Sequence, residues 1–183
     1  MDLVIARCER AVVFLGAFSA YPEGFEFGIR VLAAPGDLAV DPFLNGVTGR
    51  ADMLPGARYA GRLTLDVEFA DGRRATSMRH DSISGGEHAN PVLSARTGSG
   101  TSWSWQQTFW LRPLPPPGPL SFLCEWPAVG MPLTRAQIAA QGIINAAARA
   151  QTVFAADDAS GREAFWTSAA VQIASQDQPD QHS

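Results

Sequence analysis

His80-Asp81-Ser82-Ile83-Ser84-Gly85-Gly86-Glu87-His88 brings two imidazoles and two carboxylates together in one short stretch. Imidazole and carboxylate are ordinary ligands of Zn²⁺ and related ions. His80, Glu87 and His88, with Asp81 beside them, are therefore the candidate metal set. Their spacing matches neither the H-E-x-x-H helix nor a cysteine pair. The competing reading is a solvated loop made pliable by Gly85-Gly86, and no cofactor is expected. Ser82 or Ser84 beside His80 and Asp81 also has the residue types of a hydrolytic triad. A triad is assembled by geometry rather than adjacency, and no G-x-S-x-G elbow occurs here.

Trp103-Ser104-Trp105 to Trp110 is the second candidate. Aromatic rings on a strand face can stack on sugars or bases. Trp103, Trp105, Phe109 and Leu111 follow the inward period of a buried strand, so they are expected in the core. Trp110 falls on the opposite face with Thr108 and Arg112. A ligand-binding reading uses Trp110, Arg112 and Asp81.

Three further groups invite chemistry, and each has a plainer reading. Arg112-Pro113-Leu114-Pro115-Pro116-Pro117-Gly118-Pro119 resembles a polyproline ligand, but Gly118 stands where R-x-L-P-x-x-P needs Pro. A stiff crossing between two strands fits better. Cys8 and Cys124 are too far apart for the immunoglobulin pair, so two buried thiols are expected. Asp66, Glu68 and Asp71 make an acidic edge without the dense oxygen set calcium needs.

The elements that must position these residues are mostly strands. Phe25, Phe27, Ile29 and Val31 alternate with Glu26, Gly28 and Arg30. Tyr21-Pro22-Glu23-Gly24 joins them to the Val- and Phe-rich run Ala11 to Ala20 as a hairpin. Leu63, Leu65, Val67 and Phe69 form another inward row, and Asp71-Gly72 reverses the chain into Arg73 to Met78. Leu120, Phe122, Cys124 and Trp126 share a face, and Leu3 to Cys8 and Pro91 to Arg96 are weaker strands. The sum is an antiparallel β-sandwich of about eight strands, in the immunoglobulin-like manner.

After residue 132 the pattern turns helical. Thr134 as N-cap, Gln137 closing a capping box, and Leu133 with Ile138 as staple predict a helix start. Ala136, Ala140, Ile143, Ala147, Ala150 and Phe154 then share one helical face, with Gly142 as a weak point. The domain so defined is residues 1–156, a β-sandwich with a docked C-terminal helix. Residues 157–174, with Phe165, Trp166, Ala169, Ala170 and Ile173, read as a second helix or as a strand. Residues 175–183 are expected to be a disordered tail.

Three strings carry a resemblance: Ala20 to Phe27, Phe109 to Leu120, and Cys124-Glu125-Trp126-Pro127. They look like strings that recur in a family of hypothetical proteins from high-GC Gram-positive bacteria. The likeness spans roughly residues 3–154. It implies a self-contained domain in an actinobacterial cytoplasm, and it implies nothing about chemistry.

Composition narrows the function further. The chain has 183 residues, and its net charge of −4 comes with no basic run, so no nucleic-acid partner is expected. All its basic residues are Arg. The strongest apolar run, Ala11 to Tyr21, is too short to span a bilayer, and Asp2 and Glu9 offset the charge of a signal peptide, so no membrane partner is expected. The expected function is a non-enzymatic cytoplasmic binding or assembly module, its partner another protein or a second copy of itself. The alternatives are a small-molecule or carbohydrate binder using loops at one end of the sandwich, and a metal-dependent enzyme at the His80–His88 loop.

Overall fold

The computed structural model describes residues 2–35, 61–77, 90–154, 165–166 and 169–170, and two facing antiparallel sheets make up most of them. Sheet A runs β1 (Leu3–Arg7), β2 (Ala11–Tyr21), β3 (Gly24–Ala33), β7 (Ser104–Arg112) and β6 (Val92–Gly100), in that spatial order. Sheet B runs β5 (Arg74–Thr76), β4 (Thr64–Glu68), β8 (Pro119–Trp126) and β9 (Met131–Ala139). The alternation expected over residues 25–31 and 63–69 is observed, with the odd-numbered apolar residues buried. Both expected hairpins form, β2 to β3 and β4 to β5.

The sheets meet through aromatic rings. Phe27 of β3 stacks on Phe109 of β7 at 5.6 Å and meets Phe122 of β8 edge-on at 5.3 Å. Phe18 of β2 closes the cluster, 6.0 Å from Phe27 and 6.3 Å from Phe122. Phe18 reaches this core because β2 carries a bulge. Gly16 opposes Gly28 and Ser19 opposes Glu26, so Ala17 and Phe18 together face Phe27. Ala17 takes the left-handed conformation, φ 51°, and the buried set switches from Val13 and Leu15 to Phe18 and Ala20.

The C-terminal region corrects the helix expected from Thr134. Met131–Ala139 is β9, paired along β8. The Thr134 hydroxyl lies 3.1 Å from the Cys124 carbonyl oxygen and 3.0 Å from that of Ile5, one proton between two acceptors. It ties β1 to β9 and caps no helix. Gln137 donates its Nε2 to Ser121 Oγ at 3.0 Å, and Leu133 is exposed rather than stapled. Pairing with β8 along one side, together with the Thr134 bonds to Ile5 and Cys124, outweighs the local helical signal. The helix that does form, α1 (Gln141–Ala147), buries Ile143, Ala146 and Ala147 against β2 and β3. Beyond it, β10 (Thr152–Phe154) pairs with β11 (Phe165–Trp166), and β12 (Ala169–Ala170) extends sheet A beside Ala20 and Ser19 of β2. Of the two readings of residues 157–174, the four described positions are strand. The tail expected over 175–183 lies outside the described residues. No helix among the described residues is long and apolar enough to cross a membrane.

Candidate recognition surface

The outer face of sheet A gathers Trp110, Arg112, Arg96, Tyr21 and Glu26. Each position follows from strand register. Trp110 stands between Glu26 of β3 and Ser94 of β6, and Arg112 lies two residues on, opposite Val92. β6 is bulged between Ala95 and Gly98, and Arg96 in that bulge places its guanidinium carbon 5.8 Å from the Trp110 ring centre. That is cation–π distance. Tyr21 meets the same indole edge-on at 5.4 Å and donates its hydroxyl to Glu26 Oε2 at 3.4 Å.

Gly24 makes this arrangement possible. A Cβ there would stand 3.0 Å from Trp110 Cζ2 and 2.4 Å from the Leu111 carbonyl oxygen. The missing side chain lets the indole lie over the β3 backbone and reach Tyr21. Neither Arg96 nor Arg112 has a carboxylate partner among the described residues. Further along the same face Arg30 is engaged, pairing with Asp2 at 2.7 Å and covering the Phe14 ring at 4.8 Å.

The outer face of sheet B and its β4–β5 turn carry ion pairs of their own. The acidic residues named from sequence each meet an arginine: Asp66 with Arg74, Glu68 with Arg135 at 2.7 Å, and Asp71 with Arg73 at 2.7 Å. At Asp71, desolvation pulls the carboxyl upward, and the Arg73 backbone N–H, side-chain hydrogen bond and charge outweigh it, holding it below its ordinary value. Ser121 and Leu123, opposite Glu68 and Asp66 in the β4–β8 pairing, are buried. Each of these carboxylates thus has one oxygen engaged by a guanidinium group.

The other sequence candidates resolve one by one. His80, Asp81, Ser82, Ser84, Glu87 and His88 lie outside the described residues, and so does the Asp81 contribution to a ligand site. Among the described residues no three His, Cys, Asp or Glu side chains converge. Phe109 and Leu111 are buried as expected, and Trp105 packs partly buried against the core. Trp103 departs from the expected row. It belongs to the β6–β7 connection, where its carbonyl accepts from Ala33 N–H at 3.0 Å, and it is 53% exposed. Gln107 takes the inward position instead, buried with its Nε2 donating to the Thr108 carbonyl at 3.1 Å.

The Pro-rich segment crosses from β7 to β8 with Pro115 buried and Leu114 packed on the core, so it is a connector. Both cysteines are free. Burial, then the neighbouring Glu125 charge, pushes the Cys124 thiol up to about 12. Cys8 is half-buried, its Sγ donating to the Val129 carbonyl at 3.6 Å.

No protein-family model, curated protein or solved structure matches the chain. The surface is therefore read from its own chemistry. Strand phase alone put Trp110 and Arg112 on a common outer face. Arg96, Tyr21 and Glu26 were missed, because their places depend on which strands neighbour β7 and on the β6 bulge.

Proposed function

We propose that this chain is a non-enzymatic recognition module that binds another protein through the outer face of sheet A. One observation carries the reading: Trp110 sits between two arginines, Arg96 and Arg112, that have no carboxylate partner among the described residues. Trp, Tyr and Arg are the residue types in which binding energy concentrates at protein interfaces. Two flanking strands hold these side chains at fixed spacing, so little conformational freedom is lost on binding. Arg96 already covers the Trp110 ring, which disfavours sugar stacking there and favours a partner that meets the guanidinium and indole together. A cytoplasmic setting and kinship with the high-GC Gram-positive family belong to the same reading, on the residue strings given above.

The test is affinity capture from the source cell with wild-type protein and the Trp110→Ala/Arg112→Ala double variant. A specific partner retained by the wild type and lost by an equally stable variant is expected. Identical captured sets would overturn the reading.

A further inference from the structure

Resting on that reading, the geometry points to an extended, acidic segment of another protein as the partner, added as a strand to the edge of β6 that no described strand pairs. β6 (Val92–Gly100) pairs with β7 on one side and with no described strand on the other. Ala95 through Gly100 are all exposed, and apart from Arg96 their side chains are small. An exposed edge of this kind presents unpaired N–H and C=O groups to an incoming strand.

Among the described strands, the edges at β5, β9 and β2 are guarded. β5 is three residues long, and β9 carries Pro132 and is tied to β1 through Thr134. The far side of β2 is shared by β1 and β12.

Charge selects the segment. A strand laid on β6 sets alternate side chains on the outer face, in line with Ser94 and Arg96. Arg96 stands there without a carboxylate partner among the described residues, and Arg112 adds a second positive charge one strand further in. An acidic side chain in the added strand meets this field and leaves the Arg96–Trp110 contact in place. The bulge between Ala95 and Gly98 limits the straight docking stretch, which suits a short segment.

The experiment uses two capped peptide probes of alternating sequence, Val-Glu-Val-Glu-Val and Val-Lys-Val-Lys-Val, titrated into isotope-labelled full-length chain and followed by amide chemical shifts. The acidic peptide should shift the Val92–Gly100 amides and bind about fivefold or more tightly than the basic one, the scale of an exposed ion pair. Arg96→Glu, at an exposed position, should reverse that preference while the protein still unfolds in one cooperative transition. Equal affinity for both peptides, shifts elsewhere than β6, or no binding up to about 1 mM would overturn the inference. Concentration-dependent self-association through the β6 amides would also overturn it, by making a second copy the occupant. If these failures occur while the Trp110→Ala/Arg112→Ala variant still loses its captured partner, the recognition face stands without strand addition. If capture is also unaffected, both fall.

Discussion

The Trp110 indole lies across Gly24, close enough that a single added Cβ would stand 3.0 Å from its Cζ2. The same Cβ would meet the Leu111 carbonyl oxygen at 2.4 Å, where only a backbone shift relieves the clash. Gly24→Ala should therefore cost about 1–3 kcal/mol, the range for overpacking. It should also move Trp110 away from Tyr21. Denaturant melts with tryptophan emission as the probe check both, and an unchanged midpoint would show that the indole does not cover the β3 backbone.

Phe27 links the sheets, stacked on Phe109 and edge-on to Phe122. Phe27→Ala should lose about 3–5 kcal/mol in denaturant melts, as expected for a fully buried aromatic. A loss below about 1 kcal/mol would mean that the pairing of β3 in sheet A is misassigned.

Ala17 stands at the β2 bulge with φ 51°, where an L side chain is strained and glycine is not. Ala17→Gly should stabilise the protein by about 0.5–1 kcal/mol, although glycine in an ordinary strand position destabilises. A loss of stability would contradict the left-handed bulge.

Much of the fold was legible because its signals are short-range. Period-two alternation over residues 25–31 and 63–69, and the turns at Pro22-Glu23 and Asp71-Gly72, require no knowledge of distant partners. β2 showed no clean alternation because the bulge at Ala17 and Phe18 changes its phase midway. β9 was misread because Thr134 and Gln137 offer helix-capping chemistry locally, while the groups they engage, on Ile5, Cys124 and Ser121, are remote in sequence. The candidate surface divided the same way. Trp110 and Arg112 follow from one strand's phase, whereas adding Arg96 requires the β6–β7 register.

Cys124 supplies a test against pH. Its ordinary value of 9.0 is raised to about 12 on folding, so the folded state resists ionisation. Below 9.0 the thiol is neutral in both states and the stability is fully present. Between 9.0 and about 12 the unfolded chain releases the proton first, and stability falls as pH rises. Cys124→Ala should lose part of the alkaline slope, measured by urea melts between about pH 8.5 and 11. Equal slopes in both proteins would show that Cys124 is not buried as described.

The outer face of sheet A is most directly tested by site-specific photo-crosslinking in living source cells. A photoreactive amino acid replaces Ser94, beside Trp110, in one protein, and Gln137, on the outer face of sheet B, in another. The position at Ser94 should yield a discrete protein adduct that disappears when Trp110→Ala is added, and the position at Gln137 should yield none. No adduct from Ser94, or the same adduct from both positions, would contradict recognition through this face.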